Sequence, residues 1–361
     1  MASLSLCMIV KNEASCLADC LRSVQGLADE IIIVDTGSID GTKNIAASFG
    51  AKVVDFAWQD DFSAARNESL KQATGDWILV LDADEVLPDD SHEIIRGAIG
   101  RHERLEQNKD CWEGSGGQQE GEGQVKSGKA DAFFLPQITF TNIHTSHPTF
   151  MEQETTILGT TFKGYYQGYI IRLFRRLPRY HFDFFVHEVV NYSIAHANGR
   201  VHDLLAPIIH LSERKGAEDI HQKQSYYFTL ALKNIEAYPT YAKGYNDASL
   251  YYNSYLQDKA KAIALSRHAV ELEPLNIEFL LNLSYRLREA EDLSGALQIL
   301  QQALQVSQRD ERVLIALGYI YYKLKDYHQS FQWYGKILEM NSPRKEQVRR
   351  IMETIRREGG L

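Results

Sequence analysis

Residues 74–85 read TGDWILVLDADE, and residues 30–42 read EIIIVDTGSIDGT. Each is an unbroken aliphatic run that ends on carboxylates, Asp82 and Asp84 in the first and Asp35 in the second. Short runs of this kind, bounded by turn residues, mark strands buried on both faces, as in a parallel sheet. Working outward, strands are expected over Leu4–Val10, Glu30–Asp35, Lys52–Phe56 and Trp77–Asp82. Helices are expected between them over Ala14–Gln25, Gly41–Gly50 and Ser63–Thr74. Strands that alternate with helices predict an α/β layer with helices covering the sheet. In an open α/β sheet, ligands bind beyond the carboxyl ends of the strands. Asn12, Glu13, Asp35, Asp82 and Asp84 stand at such ends and so point at one crevice.

The residue types there suggest what binds. Two carboxylates spaced Asp82-x-Asp84 after a buried strand are hard oxygen ligands that suit Mg²⁺ or Mn²⁺, ions that bridge to phosphate oxygens. Gly37 and Ser38 let the backbone approach a nucleotide, and the helix that begins near Asp40 favours phosphate at its N-terminus. No G-x-G-x-x-G follows the first strand and no G-x-x-x-x-G-K-[ST] occurs, so dinucleotide and P-loop readings lose their main support.

Beyond residue 100 the chain changes character twice. Residues 113–129, EGSGGQQEGEGQVKSGK, carry six glycines and one large apolar residue, which reads as a flexible Gly-rich insertion. Strand-like pieces resume over AFFLP (132–136), YIIRLFRR (169–176), VHEVVNYSI (186–194) and APIIHL (206–211). From about residue 220 only helical patterns remain. Small residues recur 34 positions apart, as Ala262, Ala296 and Ser330, and Ala269 and Ala303 followed by Ile337. Asn246, Leu280 and Leu314 keep the same spacing, as do Leu283 and Leu317, and Pro274, Gly318 and Tyr321 fall in template places. A 34-residue period with small residues lets two helices per unit pack closely, as in tetratricopeptide repeats. The tail after Pro343 is basic, with Val348, Ile351 and Ile355 on one face, and is expected to cap the last repeat.

Composition sets outer bounds. A chain of 361 residues is about two domains, and a net charge of −9 argues against a nucleic-acid partner. No apolar run reaches the ~20 residues of a membrane span, and the start lacks a secretory pattern. Four cysteines (Cys7, Cys16, Cys20 and Cys111) make no disulfide framework, so a reducing, cytoplasmic location is expected. Cys16 and Cys20 lack the partners of a zinc site.

In order, CMIVKNEA (7–14), EIIIVDTGSIDGT (30–42) and FSAARNESLKQATGDWILVLDADE (62–85) strongly resemble family-2 glycosyltransferases of the GT-A nucleotide-sugar fold. They are most similar to a bacterial branch in which the catalytic domain is fused to tetratricopeptide repeats. The resemblance implies an α/β, mixed-sheet catalytic domain over 1–215, with 113–129 as an insertion, and an all-α repeat domain with a capping helix over 216–361. It implies an inverting hexosyl transfer from a nucleotide-diphospho-sugar, normally a UDP-sugar, with Mg²⁺ or Mn²⁺. Asp35 is similar to the aspartate that recognises the base, although Thr36 stands where the commoner pattern has a second aspartate. The resemblance implies that Val10, Asn12, Glu13, Gly37, Ser38 and Ala83 line the donor pocket and that Arg66 approaches the diphosphate and sugar, while Arg172 is a candidate contact to the donor phosphate or the acceptor. Asp82 approaches the sugar or ribose, while Asp84 binds the metal, with His210 as a second ligand. In FDFFVHEVV (182–190), Glu188 is similar to the carboxylate of a His-Glu motif and is the expected general base, with Asp183 as its rival and His187 either orienting it or touching the donor diphosphate.

The acceptor expected is a peptide or protein side chain. The alternative is lipopolysaccharide or another surface glycan. An alternative of another class is a non-catalytic repeat scaffold with a vestigial nucleotide-sugar domain. The repeats offer a surface for a protein partner, no transmembrane segment is expected, and a homodimer is the candidate assembly.

Overall fold

The computed structural model describes residues 2–107, 129–142, 150–211, 220–340, 342 and 344–360. The Gly-rich insertion lies outside them except for Lys129, as does Cys111. Two compact units form, Met1–Glu218 and Asp219–Leu361.

In the first unit the aliphatic runs become β1 (Leu4–Val10), β2 (Glu30–Asp35), β3 (Lys52–Asp55) and β4 (Trp77–Val80). β1 lies parallel to β2 on one side and to β4 on the other, and β3 is parallel to β2. Helices α1 (Leu17–Ser23), α2 (Thr42–Ser48) and α3 (Phe62–Gln72) connect them. After β4 come β5 (Glu85–Val86), α4 (Asp89–Gln107), β6 (Ala132–Thr141), β7 (Met151–Ile157), β8 (Thr160–Arg175), α5 (Asn191–His196), β9 (Val201–Asp203) and β10 (Ile208–Leu211). The sheet is mixed: its order is β3-β2-β1-β4-β8-β6-β10-β5, with β8 antiparallel to β4 and β6, and β5 antiparallel to β10. The chain leaves β1 toward β2 and later returns on its other side as β4. The carboxyl ends of β1, β2 and β4 therefore flank one switch-point crevice. No described helix is long and apolar enough to cross a membrane.

Three expectations change. α1 starts at Leu17 rather than Ala14, because the Glu13 carbonyl accepts the N–H groups of Cys16 and Leu17 in a separate turn. β4 stops at Val80, since Asp82 and Glu85 close a turn through Glu85 N–H and the Asp82 carbonyl (3.0 Å). VHEVVNYSI is not a strand. Asp183 and Val189 exchange backbone hydrogen bonds (3.1 and 3.3 Å), the chain turns through positive φ at Phe184 and His187, and α5 then begins.

The second unit holds α6 (Ile220–Ala237), α7 (Ala242–Ser254), α8 (Lys259–Leu272), α9 (Ile277–Glu289), α10 (Leu293–Val306), α11 (Glu311–Lys323), α12 (Tyr327–Leu338) and α13 (Lys345–Gly359). The turn inside each helix pair repeats every 34 residues. Gln257, Glu291 and Lys325 adopt left-handed φ, and the next residue, Asp258, Asp292 or Asp326, caps the second helix by accepting an N–H three residues on. Ala262, Ala296, Ala269, Ala303 and Ser330 are fully buried where the helices approach. The first pair departs from the period. Four residues, 255–258, join α7 to α8, against three, 290–292, between α9 and α10, so Asn246 corresponds to Leu281 rather than Leu280. α13 covers the end of the array by burying Val348, Met352 and Ile355, with Ile351 only half-buried.

Gly318 shows how tight the repeat contact is: a Cβ there would stand 2.7 Å from the Tyr334 ring. Gly318→Ala raises helix propensity by about 1 kcal/mol, yet the clash is expected to dominate and to lower stability by about 1–3 kcal/mol. Urea denaturation measures the sign.

Candidate active site

The crevice is assembled from the loops after β1 and β2, the start of α3, the turn after β4 and the loop before α5. Asp35 ends β2 almost fully buried, and its carboxylate accepts the N–H groups of Gly37 (3.1 Å) and Ser38 (2.9 Å), with Lys43 Nζ at 3.5 Å. Gly37 has φ +106°, a conformation that side-chain-bearing residues rarely adopt. Asn12 has φ +57°, which turns its amide across to this loop: Oδ1 accepts Ile39 N–H (2.9 Å), and its own N–H donates to Ser38 Oγ (2.9 Å). Glu13 N–H donates to Thr42 Oγ1 (2.7 Å), and the Val10 carbonyl accepts Thr36 N–H (2.9 Å). The two loops are thus laced together, with Val10, Asn12, Glu13, Asp35, Gly37 and Ser38 gathered at one end of the sheet.

Beside them runs a chain of alternating charges. Glu188 Oε1 accepts from Arg66 Nε (2.7 Å), and Arg66 Nη2 donates to Asp82 Oδ1 (2.6 Å). Asp82 Oδ2 accepts from Arg172 Nη2 (2.7 Å), which also donates to Glu85 Oε1 (3.1 Å). Both arginines are about 5% exposed and Glu85 is fully buried. Burial pulls the Arg66 guanidinium down, but Asp82 and Glu188 outweigh it and hold Arg66 above its ordinary value; Asp82 and Glu85 do the same for Arg172. Burial pushes Glu85 up against the opposing pull of Arg172. Arg66 Nη1 and Arg172 Nε are buried without a hydrogen-bond partner, so the two guanidiniums retain donor capacity.

Local structure holds this chain in place. Asp61 caps α3 through Ala64 N–H (3.0 Å) and so sets the turn that carries Arg66. Asn67, next along, clamps Phe182 by two hydrogen bonds (2.7 and 2.8 Å), while Phe62 N–H binds the Phe185 carbonyl (3.0 Å). This fixes the Glu188 loop on α3. The positive φ of His187 leaves that side chain exposed while Glu188 turns inward. Asp183, the rival base, stands 3.3 Å from His181 Nε2, and burial raises its pKa.

Asp84 is buried, with Oδ2 3.6 Å from His210 Nε2. The other ring nitrogen, Nδ1, meets Thr139 Oγ1 at 3.2 Å, which orients the imidazole. Burial lowers the His210 pKa, yet Asp84, followed by Glu85 and Asp82, raises it overall. The pair fits a hard divalent cation that takes one or two protein ligands and completes its shell with phosphate oxygens. No cluster of three or more His, Cys, Asp or Glu able to hold a metal occurs among the described residues. Ala83, between the two aspartates, is buried.

Glu85 and Gln137 were missed by sequence reasoning. Glu85 accepts Asp82 N–H (2.8 Å), Gln137 Nε2 and Arg172, and so pins the turn after β4. The only local signal is a third carboxylate directly after Asp82-x-Asp84. Its burial depends on β10 pairing with β5, and short runs do not show that pairing.

Residues 5–113 match the model of the glycosyl transferase family 2. A TPR repeat-containing protein of Synechococcus elongatus is 52% identical over 105 residues, 29% of this chain and 26% of that protein. An uncharacterized glycosyltransferase of Rickettsia felis is 35% identical over 102 residues, 28% of this chain and 36% of that protein. The chain therefore matches well under half the length of either relative. The crystal structure of S. aureus TarS 1–349 in complex with UDP-GlcNAc aligns over 91% of this chain and 89% of that one, at 14% identity and a TM-score of 0.41. The amino-terminal unit matches family-2 glycosyl transferases over residues 5–113, and a helical array whose turns recur every 34 residues follows it in the same chain.

Proposed function

We propose that the chain transfers a hexose from a UDP-sugar to a peptide or protein side chain, in one inverting displacement. The observation that carries this reading is the charge chain Glu188–Arg66–Asp82–Arg172–Glu85 at the switch-point crevice. Asp35 binds the base, with Val10, Asn12, Glu13, Gly37 and Ser38 around it. Arg66 and Arg172 donate to the diphosphate, and Asp82, with Ala83 beside it, faces the sugar or ribose. Asp84 and His210 hold the divalent cation, Mg²⁺ or Mn²⁺, which when bound neutralises charge on the departing diphosphate. Glu188 takes the proton from the acceptor as the anomeric carbon is attacked from the opposite face. The arginines stabilise the leaving group within a buried, low-dielectric site, where such donors act most strongly. His187, next to Glu188, orients it or touches the donor diphosphate.

A peptide acceptor is favoured because helical repeats present extended binding surfaces, and such an array follows the catalytic unit. We further propose catalytic residues 1–215, a repeat domain from 216, a cytoplasmic location and assembly as a homodimer.

Nucleoside-diphosphate release from a panel of nucleotide sugars, with and without Mn²⁺, tests the reading. UDP-sugars are expected to turn over with metal, and Asp84→Ala to abolish the metal-dependent rate. Turnover that survives EDTA and the Asp84 substitution would remove the metal assignment. No turnover of any donor would favour the scaffold reading.

A further inference from the structure

Asp82 is the most exposed member of the charge chain: its side chain is 35% exposed, while those of its neighbours are nearly closed to solvent. A short side chain on a turn is free to swing, yet one buried residue holds Asp82 at both ends. At the backbone, Glu85 Oε2 accepts Asp82 N–H (2.8 Å), and Glu85 N–H donates to the Asp82 carbonyl (3.0 Å). At the carboxylate, Arg172 Nη2 joins Asp82 Oδ2 (2.7 Å) to Glu85 Oε1 (3.1 Å). Both Glu85 oxygens therefore place Asp82, one directly and one through Arg172.

Glu85 is itself anchored on the sheet. Its backbone pairs with His210 of β10, β10 pairs with β6, and Gln137 of β6 donates to Glu85 Oε1 through Nε2. Arg172 is the extra residue where the register between β6 and β8 shifts, since Phe133 pairs with Leu173 and Phe134 with Ile171. A bulge of this kind re-aims a side chain. Here Arg172 reaches Asp82, while Leu173 and Ile171 enter separate cores. Packing alone does not call for these groups. A buried carboxylate and guanidinium are costly to desolvate, and apolar residues of similar volume often serve a core equally well.

We propose that Glu85 is a positioning residue for Asp82, and that Gln137 fixes Glu85, so that the carboxylate facing the donor sugar has one orientation. The proposal rests on the nucleotide-sugar reading of the crevice and adds the residues that decide how the sugar is held. The hydrogen bonds of this network involve neither Asp35 nor the loops laced around it. Loss of positioning is therefore expected to spare nucleotide binding.

UDP release from UDP-sugars in the presence of Mn²⁺, paired with calorimetry of UDP alone, tests this. Glu85→Gln is expected to lower kcat about 10–100-fold, the usual cost of removing a group that orients a ligand-binding residue. Its UDP affinity is expected to change less than about threefold, or about 0.7 kcal/mol. Gln137→Leu leaves the carboxylate in place and is expected to lower kcat in the same direction, by less. The exchanged pair, Glu85→Gln with Gln137→Glu, keeps one carboxylate and one amide buried together. It is expected to regain the parent melting temperature but not the parent kcat, because a carboxylate on β6 no longer lies beside Asp82 N–H. Parent-like kcat in Glu85→Gln, or full recovery of kcat in the exchanged pair, would overturn the positioning role. UDP affinity that falls in step with kcat would make Glu85 structural and overturn it equally. Should Glu85→Gln not fold, unchanged kcat in Gln137→Leu would overturn it. A parent protein that binds no UDP and turns over no UDP-sugar would instead remove the nucleotide-sugar reading, and this proposal with it.

Discussion

Glu188→Gln is expected to lower kcat for sugar transfer by about 10²–10⁴-fold, the usual worth of a positioned general base, while donor Kd stays unchanged. The amide keeps an oxygen that can accept from Arg66 Nε, so the loop before α5 should hold its shape. What disappears is the ability to take a proton. Steady-state kinetics paired with donor titration calorimetry separate the two effects. Near-normal kcat in Glu188→Gln, with a large loss in Asp183→Asn, would transfer the role to Asp183, whose carboxyl is held by burial above its usual range.

The second large effect concerns folding. Arg66 joins Asp82 and Glu188, with its side chain 6% exposed and that of Glu188 11%. Removing one partner of such a pair leaves buried charge uncompensated, so Arg66→Met is expected to cost about 3–5 kcal/mol. Arg66→Lys should recover little. A single ammonium cannot reproduce a fork that reaches Glu188 through Nε and Asp82 through Nη2. Urea denaturation at fixed pH measures both variants. A loss under about 1 kcal/mol in Arg66→Met, the scale of an exposed pair, would mean that the chain of charges is solvated in solution.

Much of the scaffold is legible in the chain because its signals are local. β1 and β2 occupy the residues that their aliphatic runs mark, and the turns after them carry the polar residues expected there. The 34-residue period survives in both Asp caps and left-handed turn residues. What sequence leaves hidden depends on partners far along the chain. Arg66 and Glu188 are 122 residues apart, and Arg172 and Glu85 are 87 apart. The alternation of their charges exists only once β8 has inserted beside β4. The Asp183–Val189 bridge converts a strand-like run into a turn for the same reason: the left-handed backbone at Phe184 and His187 is imposed by the clamp on α3, not by residue propensity. A four-residue link between α7 and α8, one longer than its counterpart, shifts Asn246 by one position, and spacing counted across a turn cannot detect it.

A single displacement at this crevice, with Glu188 as base and the two arginines on the leaving group, is the reaction we propose. The anomeric configuration of the first product tests it most directly. ¹H NMR of the reaction, run with whichever α-linked UDP-sugar turns over and a Ser-, Thr- or Cys-containing peptide, resolves the anomeric coupling constant of the glycosylated peptide, whose glycosidic bond does not mutarotate. The expected product is β-linked, with no α-linked signal at early times. An α-linked product would contradict the one-step mechanism and the role given to Glu188.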